Sequence, residues 1–179
     1  SLTIHGSEKE YALEQTQLPV KNELKLTMDA SGKVEARQTI LGPLTEKSQS
    51  LLNICSSSDV RVDLLATDSK RTSNGKLLAA GSFMGNSVTF GETGYTGVAF
   101  QEVNPMALDL MSFAFGRPGA EMLHEITEAY QGALISMVLG KSSPCGSEKG
   151  SVYPEAHSRA YPSSGTLYRI NYDKYNKEV

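Results

Sequence analysis

The sequence predicts an α+β fold in which a mixed or antiparallel β-sheet carries one long packed helix. Apolar residues alternate with polar ones, between turn residues, through much of the N-terminal half, as in half-buried strands. From Met106 the apolar period becomes helical, and its longest stretch covers Ala120–Leu139. A chain of 179 residues with 39% hydrophobic content is long enough to bury a core.

The first residues show neither period, and we expect a flexible leader over residues 1–20 followed by a single domain over residues 21–179. His5 in this leader receives no role. The leader has no signal-peptide pattern, so the compartment stays open, and a secreted or surface-anchored domain that has lost its targeting segment is compatible with it. No apolar run approaches the ~20 residues that span a bilayer.

Local signals define the elements up to Thr67. Two alternating segments around the turn residues Asp29–Gly32 predict a β-hairpin over residues Glu23–Leu41. After Gly42-Pro43, a helix is predicted over Leu44–Cys55 with Thr45 as its N-cap. Turn residues on both sides bound the clearest strand, Val60–Thr67.

The elements after Thr67 are three strands, two helices, two loops and a last strand. The candidate strands, which lie among Gly and Asn residues, are Leu77–Ala80, Val88–Phe90 and Tyr95–Phe100. A short helix begins at Asn104-Pro105, Gly116–Gly119 interrupts it, and the long helix Ala120–Leu139 ends at Gly140. The stretches KSSPCGSEKGS and YPEAHSRAYP are predicted as loops, and Thr166–Tyr172 as a final strand.

Charge and cysteine content exclude some functions. The net charge is −3 and Lys and Arg form no cluster, so we expect no nucleic-acid partner. The two cysteines, Cys55 and Cys145, lack the spacing of a zinc knuckle or a redox pair. Cys55 is expected as a buried thiol and Cys145 in an exposed loop, and a disulfide between them is allowed but not required.

The long helix places its polar and apolar residues on separate flanks. At about 100° per residue, one flank carries an apolar stripe that would pack on the sheet. The stripe consists of Leu123, Ile126, Tyr130, Leu134 and Met137. His124 and Glu128 lie four positions apart on the adjoining flank, where a helix that lines a cleft would present ligands.

This spacing suits a metal ion. Two ligands at i and i+4 can both reach one zinc ion, while Glu125 points about 100° away and can accept the proton of an attacking water. A third ligand must come from elsewhere, and His157 is the one histidine that follows the helix. Either Tyr153 or Tyr161, on the two sides of His157, is a candidate to stabilise a developing oxyanion.

The stretch His124-Glu125-Ile126-Thr127-Glu128 resembles the His-Glu-x-x-His helix of the zincin metallopeptidases. The resemblance implies a zincin-like fold with zinc as cofactor and a peptide or protein as substrate. It also implies that His124, Glu128 and His157 ligate the metal and that Glu125 is the general base. Compact bacterial zincins likewise place a further histidine within a few tens of residues.

Glu128 departs from the zincin pattern, because it replaces the second histidine. An anionic ligand lowers the charge of the metal centre, makes its water less acidic and favours harder ions such as manganese or iron. No Gly-x-x-His extension or Met-turn of the metzincin type follows it. The resemblance therefore covers the helix and its setting, with one ligand changed.

Other interpretations stay open at this stage. His124 and Glu128 are also ordinary residues of a solvated helix face, and His157 can be a plain loop histidine. Three functions remain: a metal-dependent hydrolase, most simply a metallopeptidase or a degenerate relative; a non-enzymatic structural or interaction protein; and a fold that keeps a metal for stability alone. Distant histidines, or a bridge from Glu128 to an arginine such as Arg159, would favour the second.

Overall fold

The structure is a computed structural model that describes residues 1–162. It contains a six-stranded mixed sheet with helices packed on it, which confirms the predicted α+β fold. The strands are β1 (Leu2–His5), β2 (Leu24–Met28), β3 (Lys33–Gln38), β4 (Val60–Ala66), β5 (Gly81–Gly91) and β6 (Gly94–Val103). The helices are α1 (Lys9–Gln17), α2 (Glu46–Ser56), α3 (Pro105–Ala114), α4 (Ala120–Leu139) and α5 (Tyr153–Arg159), with a 3₁₀ turn at Leu18–Val20. The predicted strand Thr166–Tyr172 lies outside the described residues.

The strands follow the spatial order β2-β3-β1-β4-β6-β5. β1, β4 and β6 are parallel neighbours, whereas β2 pairs antiparallel with β3, β3 with β1, and β5 with β6. The sheet is therefore mixed, and the long antiparallel strand β5 forms one edge. Among the helices of the described chain, none is both long enough and apolar enough to pass through a membrane.

The predicted flexible leader is wrong, because residues 2–5 form the strand β1 between β3 and β4. Leu2 and Ile4 are completely buried in the core, and α1 follows directly. A four-residue strand is too short to show a period, and its pairing partners lie far along the chain. His5 is not free either, since its Nε2 lies 2.9 Å from Asp63 Oδ1.

The hairpin and α2 agree with their local signals. Asp29 Oδ1 accepts hydrogen bonds from the backbone amides of Ser31 and Lys33, which fixes the turn between β2 and β3. Thr45 occupies the N-cap position of α2, but its side chain does not cap the helix. It hydrogen-bonds the Glu23 carboxylate instead, and this bond ties α2 to the start of the hairpin.

Two predicted elements are wrong and two are longer than predicted. Leu77–Ala80 is not a strand, because the turn at its start allows only one isolated bridge, between Arg71 and Leu77. YPEAHSRAYP is not a loop, since it forms the helix α5 with Pro154 in its first turn, a position that tolerates proline. Val88–Phe90 and Tyr95–Phe100 lie within β5 and β6, which form a tight hairpin.

The bounds of α4 are confirmed at Ala120 and Leu139. Gly119 precedes the helix and Gly140 ends it, with φ of +77° and +66°, left-handed values that suit glycine. Leu123 and Ile126 are completely buried, whereas the last three residues of the predicted stripe are only partly buried against the core. α4 packs on β4, β5 and β6 on one side and on α5 on another.

Candidate metal centre

The first half of α4 is buried almost all the way round, because the sheet, α1, α3 and α5 surround it. Its polar residues share this burial: His124, Glu125 and Glu128 are 4%, 9% and 3% exposed. The interpretation of a solvated helix face is therefore wrong for these residues. Charged groups at such depth need partners, because leaving water is costly.

The side chains of His124, Glu128 and His157 converge on one point. His124 Nε2 lies 3.1 Å from Glu128 Oε2 and 3.2 Å from His157 Nδ1, and His157 Nδ1 lies 2.7 Å from Glu128 Oε2. The three predicted ligand atoms thus form a small triangle, within the reach of one metal ion. Arg159 does not contact Glu128, since it pairs with Glu155 on the surface of α5.

The far side of the His124 ring fixes which nitrogen faces the triangle. His124 Nδ1 lies 2.7 Å from the carbonyl oxygen of Tyr161. A carbonyl can only accept, so Nδ1 carries the proton and donates it. In the neutral ring this leaves the Nε2 lone pair directed at the triangle. Metal-binding histidines are commonly oriented in this way, by a bond from their other nitrogen to a carbonyl.

His157 reaches the site because α5 docks on α4. Ala156 is completely buried in this contact, and a Cβ at Gly132 of α4 would lie 3.6 Å from the Ala156 Cβ of α5. The side chain of His157 remains 31% exposed, in contrast to the other two candidate ligands. It lines a cavity of about 350 Å³ that also contacts Glu125 and Tyr153. The site therefore adjoins this cavity at its partly exposed ligand, His157.

The two candidate tyrosines lie in different places. Tyr153 lines the cavity, and its hydroxyl oxygen is 3.5 Å from His157 Nδ1. The Tyr161 hydroxyl accepts a hydrogen bond from Arg117 and is not part of the cavity lining. Tyr161 contributes to the site through its carbonyl, which orients His124.

Glu125 lies beside the triangle and does not contribute to it. Gln101 Nε2 on β6 donates to Glu125 Oε2 at 2.5 Å and to Glu128 Oε1 at 3.0 Å. Gly81 of β5 approaches the same Glu125 carboxylate so closely that a Cβ there would lie 2.2 Å from Cδ. Glu125 is thus held between two strands, on the wall of the cavity.

Burial and proximity shift the acid–base behaviour of all three helix residues. Burial would lower the pKa of His124, but its hydrogen bond to Glu128 and the charges of Glu125 and Glu128 raise this pKa to about 9. Burial and the charge of Glu128 raise the pKa of Glu125 to about 8. Burial would raise the pKa of Glu128, but hydrogen bonds from His124 and His157 lower it to about 2. Without a metal, a proton on His124 therefore neutralises the Glu128 carboxylate.

The contributions of Gln101 and Gly81 to the site were not predicted from the sequence. In β6 the inward register runs through Gly97, Ala99, Gln101 and Val103, so a buried amide stands in a row of apolar residues. That interruption was a usable signal, because a polar residue on a core-facing register needs a partner. Gly81 gave no signal, since its importance depends on the approach of α4.

The cysteines are both free and partly buried. Cys55 packs against the core, and burial raises the pKa of its thiol to about 11. Cys145 lines the cavity near the candidate ligands, so the loop that carries it is less exposed than expected.

Comparison with known proteins adds no relative. No protein-family model matches the chain, and no match was found among curated proteins or solved structures.

Proposed function

We propose that this protein is a metal-dependent hydrolase of the metallopeptidase type, with His124, Glu128 and His157 as zinc ligands and Glu125 as general base. The observation that carries the proposal is the triangle of 2.7 to 3.2 Å formed by the three ligand atoms. The ligands come from two helices, and the His124–Tyr161 hydrogen bond orients one of them.

The donor set fits zinc. Ligand atoms ~2.0–2.2 Å from a tetrahedral zinc ion lie ~3.3–3.6 Å from one another. The sides of the triangle, 2.7 to 3.2 Å, therefore need to widen by about 0.1–0.9 Å, most of it between Glu128 and His157. Two imidazole nitrogens and one carboxylate leave a fourth position, as catalytic zinc sites require. His124 Nε2 and His157 Nδ1 lie 3.2 Å apart, and both lie beside Glu128 Oε2. Because their lone pairs would repel one another, a metal cation or a proton is needed between them.

The chain's own groups supply the remaining chemistry. When bound, zinc lowers the pKa of a coordinated water and polarises a substrate carbonyl. Glu125 takes the proton of the attacking water and transfers it to the leaving amine. The raised pKa of Glu125, about 8, makes its carboxylate a stronger base towards the water proton than an ordinary glutamate. The Tyr153 hydroxyl, at the cavity wall, would donate to the developing oxyanion.

The anionic ligand affects which metal is used. A carboxylate among two imidazoles is ordinary for zinc and also acceptable to manganese or iron. We propose zinc as the resident ion, with the other two as alternatives that metal analysis would reveal.

The proposed relationship to zincins rests on sequence and order of elements. A sheet precedes the His124-Glu125-x-x-Glu128 helix, and the third ligand follows within a few tens of residues. A peptide or protein substrate is proposed on the same ground.

A purely structural metal is the second candidate, and the near-complete burial of His124 and Glu128 favours it. In that case chelation would lower the melting temperature of a protein that never hydrolyses peptides. The partial exposure of His157 and the adjoining cavity favour the catalytic alternative.

The test is metal analysis of protein purified without an affinity tag, followed by zinc titration of Glu128→Ala and His157→Ala. We expect about one zinc per chain in the wild type. Both variants should lose more than the roughly 10–100-fold in zinc affinity that is typical when a residue behind a metal ligand is changed. His5→Ala is the matched control, since His5 pairs with Asp63 away from the site. Absence of stoichiometric metal in the wild type, or equal affinity in all variants, would overturn the proposal.

A further inference from the structure

One buried amide joins the two carboxylates of the site. The two hydrogens of Gln101 Nε2 serve different residues, Glu125 Oε2 at 2.5 Å and Glu128 Oε1 at 3.0 Å. In the proposed function Glu125 is the base and Glu128 the anionic ligand. A single side chain of β6 therefore contacts both.

The contact with Glu128 selects one of its oxygens for the metal. Gln101 Nε2 binds Oε1, whereas His124 and His157 both face Oε2. An amide hydrogen on Oε1 holds the carboxylate plane and directs the lone pairs of Oε2 towards the histidines. Without that bond the carboxylate can rotate about its last torsion, which is soft.

The other end of the amide argues against a purely packing role. Gln101 is 1% exposed, and its Oε1 finds no hydrogen-bond partner in the described part of the chain. A buried unpaired acceptor costs about 1–3 kcal/mol. Packing alone would be served better by an apolar side chain of the same length, such as Met. The hydrogen bonds that Gln101 Nε2 donates to the two carboxylates explain why an amide occupies this position.

Gly81 holds Glu125 from the opposite side. A Cβ at this position would lie 2.2 to 2.4 Å from Cδ, Oε1 and Oε2 of Glu125, so only glycine allows the carboxylate its position. Of the two carboxylates, Gly81 approaches that of Glu125, whereas Gln101 contacts those of both Glu125 and Glu128. The two positions can thus be separated by experiment.

We propose that Gln101 is a positioning residue that sets the orientation of Glu128 towards the metal and the location of Glu125 beside it. This inference rests on the proposed function and adds that one side chain links the metal ligand Glu128 to the general base Glu125. Metal affinity and base placement both depend on one amide, and changing that amide alters both. Changing Gly81 alters the base alone.

The experiment compares zinc affinity, measured by competition with a chelating dye, in the full chain and in Gln101→Met, Gln101→Asn and Gly81→Ala. Gln101→Met keeps the length without a donor, and Gln101→Asn keeps an amide that is too short to reach both carboxylates. We expect both to weaken zinc binding about 10–100-fold and to change the visible absorption of the Co²⁺ form. Gly81→Ala should keep the wild-type zinc affinity and lose about 100-fold in hydrolysis of labelled casein.

The outcomes separate the two proposals. Wild-type affinity and Co²⁺ absorption in Gln101→Met, or in Gln101→Asn if the Met variant does not fold, would overturn the positioning role. An equal loss of zinc affinity in Gly81→Ala would also overturn it, because the effect would then be general damage. A wild-type chain that binds no zinc would overturn the proposed function itself. Thermal melts in chelator check that each variant is folded.

Discussion

His157 Nδ1 lies 2.7 Å from Glu128 Oε2, although 29 residues separate the two in the chain. The contact exists because α5 docks on α4, and it brings the partly exposed imidazole of His157 to a carboxylate that is almost fully buried. A buried acid with two histidines is chemically balanced only by protons or by a metal ion. The function proposed for this protein requires that the site hold the metal ion.

Under the proposed function, Glu125→Gln is expected to slow hydrolysis strongly and to keep the metal. Gln has nearly the same shape and cannot accept a proton, so kcat should fall about 10²–10⁴-fold. Zinc affinity should remain near the wild-type value, since Glu125 is not in the triangle. Cleavage of labelled casein and dye competition measure the two quantities.

Glu155→Gln is the matched control for this change, because Glu155 lies on the surface of α5 and pairs with Arg159. An active Glu125→Gln enzyme would show that the base is another group.

Tyr153→Phe should reduce kcat more than Tyr161→Phe. The Tyr153 hydroxyl faces the cavity, and loss of one oxyanion donor costs roughly 10²–10³ in kcat. The Tyr161 hydroxyl binds Arg117, and its useful carbonyl survives the substitution. Steady-state kinetics on one peptide compare the two variants, and a larger defect in Tyr161→Phe would contradict this assignment.

Metal-free protein should lose stability as the pH rises above neutral. The pKa of His124 rises in the fold from 6.5 to about 9, so its contribution is complete below pH 6.5 and is lost as the pH rises through 9. The pKa of Glu125 rises in the fold from 4.5 to about 8. The stability that protonated Glu125 contributes is therefore complete below pH 4.5 and is lost as the pH rises to about 8. Glu128, with its pKa lowered from 4.5 to about 2, acts in the other direction, and its contribution is lost as the pH falls through that range.

Melting temperatures in chelator test this pH dependence. They should be highest near pH 4.5, fall gradually to pH 6.5 as the Glu125 contribution alone is lost, and fall more steeply above pH 6.5, where His124 also loses its contribution. Excess zinc should weaken the alkaline loss, because the ion replaces the His124 proton and binds more tightly as that proton leaves. A melting temperature in chelator that increases from pH 6.5 to 9 would contradict the protonation of His124.

Ile4→Ala should cost about 2–5 kcal/mol of unfolding free energy, because it opens a cavity in the middle of the sheet. Ile4 is 0% exposed in β1, which pairs with two strands. Leu41→Ala is the control, since Leu41 is 99% exposed and its truncation should change stability by no more than about 0.5 kcal/mol. Denaturant titration measures both variants, and equal stabilities would support a mobile N-terminus after all.

The sequence predicted those elements whose formation depends on residues close together in the chain. The bounds of α4 were predictable because a long helical period ends at Gly140, and the His124–Glu128 pair because i,i+4 neighbours meet on any helix. β1 was not predictable, because its two partners lie far along the chain. α5 was missed because seven residues with an early proline show no period. The role of Gln101 depends on how β6 faces α4, which only tertiary packing determines.

The most direct test of the metal centre is anomalous X-ray diffraction from crystals grown with zinc, recorded at the zinc absorption edge. We expect one peak ~2.0–2.2 Å from His124 Nε2, Glu128 Oε2 and His157 Nδ1, with Glu125 close by but not bound. A peak elsewhere, or an empty triangle in which both imidazoles still hydrogen-bond Glu128 in saturating zinc, would contradict it.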